Sequence, residues 1–213
     1  MTIEMFCPQW YYTGTVSEEN QQRIVELFDD FVSNDDNFSE SDGWNCSSLT
    51  TIHNEANGQA PWSEWLECIR EHIDTFLEET QPTKDIQIIP QEAWANKYRL
   101  GHFQEYHDHA VANCNLSMVY FYKEFDETLF RFYNNEDSKY KSSGLKEVLS
   151  IPSSNTIIPK VSRGDIIIFP SFYPHYVCPN PHNEERITFS ANFLVTPQEP
   201  AQGSPETSQS MQS

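Results

Sequence analysis

Apolar residues recur at helical spacing in two places in the first third of the chain. Ile24, Leu27, Phe28 and Phe31 form one stripe, widened by Val25 and Val32. Ser17 stands before it as a candidate N-cap, and Glu18 and Glu19 occupy the first turn, where the helix dipole favours acid. The pattern predicts an amphipathic helix over residues 17–33. Pro61 suits a first helical turn, and Trp62, Trp65, Leu66, Ile69, Ile73, Phe76 and Leu77 predict a second helix over 61–79, closed by Pro82. The two tryptophans read as core, given the area an indole buries. Residues 5–13 and 49–52 are strand candidates, and the acidic, Asn/Ser-rich stretch from 33 to 48 reads as a loop.

From Ile86 onward the apolar runs become short and β-rich, separated by turns. Strands are expected at 86–89, 93–99, 105–111, 115–122, 128–133, 156–161, 165–169, 175–177 and 186–195. The polar insertion between Asn134 and Asn155 is either a lid on a rigid sheet scaffold or a plain surface loop. Beyond Val195 no apolar period remains, so residues 197–213 are expected to be disordered. The expected organisation is a helical support over 1–85, a β core over 86–196 and a tail. Helices followed by many short strands point to a β-sandwich or barrel with helices packed on one sheet.

Composition narrows the function classes. The net charge is −19, from 13 basic and 32 acidic residues, which argues against nucleic acid or an anionic membrane as partner. The acidity reads as solubility or as attraction for a basic substrate. No apolar run is long enough to span a bilayer, and the N-terminus lacks a basic-then-apolar leader. Five scattered cysteines without a CxxC pattern suit free thiols in a reducing, cytoplasmic setting. Oligomeric state is not legible.

The candidate chemistry centres on Gln104-Glu105-Tyr106-His107-Asp108-His109. In a strand, residues two apart share a face, so His107 and His109 would present two imidazoles together with Asp108 turned away. His175, after the Gly164–Pro170 run, would supply a third ligand from a distant strand. Three facial protein ligands with open positions are the pattern of non-haem Fe(II) oxygenases. Further on, Arg186, Thr188, Ser190 and Asn192 alternate with Ile187, Phe189, Ala191 and Phe193. A polar face on a late strand needs a reason. Arg186 beside the Thr188 hydroxyl is a good bidentate receptor for a carboxylate, or else a surface residue in a salt bridge.

The pieces Trp94–Gly101, His107-Asp108-His109, Leu116–Tyr120, Gly164–Ser171, His175–Val177 and Arg186–Asn192 together resemble the 2-oxoglutarate/Fe(II) oxygenases of bacteria and tailed phages. The resemblance covers about residues 90–195 and extends more distantly to prolyl 4-hydroxylases. It implies a mainly β fold, a double-stranded β-helix of the jelly-roll or cupin type with two helices packed on one sheet. It implies Fe(II) on His107, His109 and His175, with 2-oxoglutarate as cosubstrate and O2 as oxidant. Cosubstrate contacts are expected at Arg186, Thr188, Tyr98 and Asn192. The substrate, an organic molecule or a peptide, is not specified.

One position departs from the family pattern. The superfamily carries H-x-D/E, and this chain has His109 where the carboxylate would stand. His109 could ligate, could face the site without ligating, or could yield to Asp108 through a local bulge. Two other readings therefore stay open: a three-histidine metal protein without 2-oxoglutarate chemistry, and a non-catalytic accessory module of phage type.

Overall fold

The computed structural model describes residues 9–41, 43–149 and 154–198. It contains strands β1 (Tyr12–Thr15), β2 (Ser39–Glu40), β3 (Leu49–Thr50), β4 (Ile86–Tyr98), β5 (Gln104–His107) and β6 (Leu116–Lys123). These are followed by β7 (Phe130–Tyr133), β8 (Thr156–Ile157), β9 (Asp165–Pro170), β10 (His175–Val177) and β11 (Arg186–Pro197). The helices are α1 (Glu18–Ser33), α2 (Trp62–Cys68), α3 (Arg70–Thr80), α4 (Asn135–Ser142) and α5 (Leu145–Leu149).

Two antiparallel sheets form the body. The larger runs β1-β9-β6-β11-β4-β3-β2, and the smaller runs β5-β10-β7-β8. Strand alternation divides the large sheet into two faces. Met118, Tyr120 and Tyr122 of β6, Ile166 and Ile168 of β9, and Ile187, Phe189, Ala191 and Phe193 of β11 pack against the helices. Val119, Phe121, Ile167 and Phe169 point the other way, towards the small sheet, where Phe130, Phe132 and Val177 meet them. This is the double-stranded β-helix with helices on one sheet. No helix among the described residues is long and apolar enough to cross a membrane.

Local signals explain the elements. The Ser17 side chain accepts the Asn20 N–H and caps α1, whose buried residues are Ile24, Phe28 and Val32. Gly164 adopts φ +87° in the turn before β9, and a Cβ there would fall 2.4 Å from the Gln21 side chain.

Several expectations are corrected. The helix over 61–79 breaks at Ile69 (φ −108°, ψ 3°). The break turns the second half so that His72 and Phe76 are buried, while Ile73 and Leu77 are only half-buried. His72 sits under β1 with Nδ1 2.9 Å from the Tyr12 hydroxyl. Residues 86–89 and 93–99 belong to one strand, β4, continuous through a bulge at Gln91 opposite the Asn192/Phe193 step of β11. The polar insertion folds into α4 and α5. Asn134 caps α4 by accepting the Glu136 N–H, and buried Asp137 pairs with Lys141 at 2.7 Å and Lys146 at 2.6 Å. The loop over 33–48 contains the short strand β2. Residues 1–8 and 199–213 lie outside the described residues, and with them the first four residues of the expected strand at 5–13 and most of the tail; Tyr12 and Thr13, the end of that expected strand, open β1.

Candidate active site

β10 lies between β5 and β7, and its register sets His175 opposite His107 on one side and Phe132 on the other. Strand parity, however, does not bring in His109. β5 ends at His107, and His109 follows in a turn. Its position is fixed by its own N–H, which donates to the Ser171 carbonyl at 2.8 Å. Ser171 is buried, and its hydroxyl donates to the Cys114 carbonyl at 2.7 Å, tying down the far end of the turn. Asp108 is exposed and spends Oδ1 on the Ala110 N–H, so it is turned away from the site by an Asx turn and not by strand alternation.

The three imidazoles nevertheless converge. Ring centroids are 4.2 Å apart for His107–His175, 5.1 Å for His109–His175 and 5.3 Å for His107–His109. One ring nitrogen of each lies within 4.8 Å of the others. Each Nδ1 is engaged elsewhere. His107 Nδ1 donates to the Glu105 carbonyl at 2.8 Å, and His175 Nδ1 to the Tyr173 carbonyl at 2.9 Å. His109 Nδ1 lies 2.8 Å from Asn192 Oδ1 and 3.0 Å from Ser117 Oγ. Carbonyl acceptors fix the proton on Nδ1 and leave three Nε2 lone pairs for a common guest, the arrangement a metal-binding histidine requires. Burial holds all three rings neutral. It pushes His109 down to about 4 and lowers His107, and with the neighbouring imidazoles it sets His175 well below the ordinary range.

Arg186 faces the same cavity. It stands opposite Tyr98 across the β4–β11 pairing, with its guanidinium carbon 5.0 Å from the Tyr98 ring centre. Arg186 is not at the surface, but it does form a salt bridge. Its Nε donates to Glu124 at 2.7 Å in an ion pair whose side chains are 1% and 0% exposed. Its two terminal nitrogens, also buried, have no partner. Glu124 is itself pinned by the Thr128 hydroxyl and the Phe125 N–H. The result is a guanidinium with one edge neutralised and its two-pronged end unsatisfied, a ready receptor for a carboxylate. Thr188 and Ser190 line the cavity beside it.

The remaining expected contacts divide. Tyr98 lies under Arg186, but its hydroxyl donates to Gln104 Oε1 at 2.7 Å, and burial raises its pKa so that it stays protonated. Gln104 Nε2 reaches to 3.4 Å from His107 Nε2. Asn192 is bound to His109 and Ser117 and does not line the Arg186 cavity. The free volume of that inner cavity is only about 20 Å3, room for one water. Glu124, Gln104, Ser117 and Ser171 escaped the sequence reading. Gln104, Ser117 and Ser171 lie inside stretches the sequence had singled out, but Glu124 lies in none of them.

Residues 92–192 match the family model described as "Putative 2OG-Fe(II) oxygenase", a span that holds every residue of this site. No curated protein matches the chain in sequence. Among solved structures, a Pseudomonas putida prolyl-4-hydroxylase has a TM-score of 0.54 at 13% identity, covering 87% of this chain and 92% of that one. A Trichoplax adhaerens prolyl hydroxylase, in complex with a hypoxia inducible factor oxygen degradation domain peptide fragment, has a TM-score of 0.58 at 11% identity, covering 86% and 83%. HygX from Streptomyces hygroscopicus, with nickel, 2-oxoglutarate and hygromycin B bound, has a TM-score of 0.53 at 6% identity, covering 87% and 83%. At such identities these likenesses establish the fold.

Proposed function

We propose that the chain is a 2OG-Fe(II) oxygenase, the family whose model its residues 92–192 match, that His107, His109 and His175 hold the Fe(II), and that Arg186 anchors 2-oxoglutarate. The observation that carries this is the pairing, in one cavity, of three histidines whose ligand nitrogens converge, with only a long 3.4 Å contact from Gln104 on His107 Nε2, and an arginine with two unpartnered terminal nitrogens. Thr188 stands beside the Arg186 fork to assist the far carboxylate, and Tyr98 supports the guanidinium from below. Asn192 acts through His109, fixing its ring plane and tautomer.

When bound, Fe(II) and 2-oxoglutarate supply the oxidation of a C–H bond by O2, with the cosubstrate leaving as succinate and CO2. The chain's own part is positioning and electrostatics. The three neutral imidazoles leave the metal charge to be matched by the cosubstrate dianion alone. A lone buried arginine would then carry an unbalanced charge, and Glu124 removes it. Glu124 thus takes over the charge that an Asp or Glu at position 109 contributes in the family pattern. Phe130, Phe169 and Trp94 form an aromatic wall of the inner cavity beside the polar side chains.

The reaction is read as hydroxylation of a peptide or small organic substrate, on the strength of the peptide-bound and hygromycin-bound relatives. Four free cysteines among the described residues support a reducing, cytoplasmic location. The deciding experiment is an anaerobic titration with Fe(II) and 2-oxoglutarate. A visible charge-transfer band that needs both additions and is lost in His175→Ala supports the reading. Metal binding without the band favours a three-histidine protein lacking 2-oxoglutarate chemistry.

A further inference from the structure

A second cavity, of about 260 Å3, adjoins the first and shares Trp94, Gln104, His107 and His109 with it. Its other walls come from Trp44, Ile52, Glu92, Glu105, Asp108, Val111 and Asn192. The two cavities have opposite electrostatic character. The inner one ends on Arg186. The outer one carries three carboxylates and no lysine or arginine among its lining residues.

Two unsatisfied polar atoms set this outer cavity apart from an ordinary acidic surface. Glu105 Oε1 accepts the Asn45 N–H at 3.1 Å and the Cys46 thiol lies against the same carboxylate, but Oε2 is buried without a hydrogen bond of normal geometry. Trp94 is only 4% exposed, and its indole N–H is likewise buried without a partner. A buried carboxylate oxygen left unpaired is costly, and a cationic guest would satisfy it. Trp44 and Trp94 add aromatic faces that favour the same charge. The dianionic cosubstrate is repelled from this wall and drawn to Arg186, so the two ligands sort themselves by charge.

We propose that the outer cavity is the substrate site and that it takes an ammonium or guanidinium group carried on an aliphatic stem. Glu105 is the principal charge partner, flanked by Glu92 and Asp108, and the Trp94 N–H is offered to a carbonyl or hydroxyl oxygen of the same molecule. The cation arrives either as a free amine or guanidine or as a basic side chain of a polypeptide. The proposal rests on the oxygenase reading for the placement of the substrate beside His107 and His109.

Calorimetric titration of the full chain, metal-free and again anaerobically with Fe(II) and 2-oxoglutarate, tests it. The probes are the Nα-acetyl amides of lysine, arginine, norleucine and glutamate, and a short glycine peptide with one central lysine. The lysine or arginine compound should bind, the norleucine and glutamate compounds should bind at least about tenfold more weakly, and Glu105→Gln should weaken the cation by about tenfold. Raising the salt should weaken it further. A peptide more than tenfold tighter than the amides assigns the cation to a polypeptide; equal affinities assign it to a small molecule. No cation binding in either state, norleucine binding equal to lysine, or an unchanged Glu105→Gln overturns the proposal. An intact charge-transfer band with no cation binding overturns this inference alone. Cation binding with no band overturns the oxygenase reading alone.

Discussion

On one face of β11, Ile187, Phe189, Ala191 and Phe193 are buried against the helices. On the other, Arg186, Thr188, Ser190 and Asn192 are equally buried, at 1% to 9% exposure, against the small sheet. The apolar face is satisfied by packing. The Phe189 ring meets Phe28 at 4.6 Å, Tyr122 at 4.9 Å, Trp62 at 5.6 Å and Trp65 at 5.8 Å. The polar face is satisfied only in part, since Asn192 Oδ1 is held by His109 and Ser117 while Arg186 keeps two nitrogens without partners. Neighbouring residues on one strand therefore answer to different demands. A side chain on the helix face stabilises the fold, and one on the cavity face is held at some cost in stability for what it can bind.

The sharpest way to break this division is to cross it. Phe189→Ala removes the hub of the helix-side core and should lower stability by about 3–5 kcal/mol in a denaturant or thermal melt. The folded fraction should still give the Fe(II)/2-oxoglutarate band. Loss of the band at full fold would show that the two faces are not separable.

Glu124→Gln comes next. It leaves the Arg186 guanidinium buried without a counter-charge, a change of order 3 kcal/mol. Because 2-oxoglutarate then supplies the missing anion, the cosubstrate should raise the melting temperature of Glu124→Gln more than that of the wild type, even without metal. Equal shifts in both would exclude Glu124 as the charge balance of the site.

Asn192→Leu keeps the volume but removes the acceptor of the His109 Nδ1 proton. Metal affinity should drop about 10- to 100-fold, as it does when the partner of a ligating histidine is removed. Ser117→Ala should matter less, because Asn192 still receives the proton. Arg186→Lys keeps Glu124 paired and loses the two-pronged end, so 2-oxoglutarate should bind about tenfold more weakly with metal affinity unchanged.

The alternation from Arg186 to Phe193 was readable because a strand between two layers must be polar or apolar by turns, and this one follows the rule for eight residues without a break. The first helix was readable from its cap and stripe. His107 and His109 were readable as a pair, but the physical reason lay elsewhere: β5 stops at His107, and a bond from His109 to Ser171, far along the chain, does the positioning. Glu124 gave no local signal, because its meaning depends on an arginine sixty-two positions away. The insertion hid its helices for a related reason. α4 and α5 are held by the buried Asp137 and its lysines, and an ion-pair anchor leaves no hydrophobic period to detect.

The smallest effect concerns the helix face again. His72 is buried below Tyr12, and burial lowers its pKa from the ordinary 6.5. Above about pH 6.5 the ring is neutral in both folded and unfolded chains, so it contributes no pH dependence there. As the pH falls below 6.5 the unfolded chain takes up the proton first, while the folded chain resists it until its own lower pKa, so stability must fall across that window. The cavity histidines have the same sign and a wider window, since His109 stays neutral in the fold down to about 4. Wild type and His72→Gln, melted without metal at pH 7.5 and pH 5.5, separate the two faces. The variant should lose less stability between the two pH values than the wild type, by about 1 kcal/mol or less. What remains of the acid sensitivity comes from the cavity histidines together with His102, whose pKa burial also lowers, and Fe(II) added at pH 7.5 should raise the melting temperature of both proteins equally. A larger acid loss in His72→Gln than in the wild type would reverse the assignment of His72 as a neutral, buried ring.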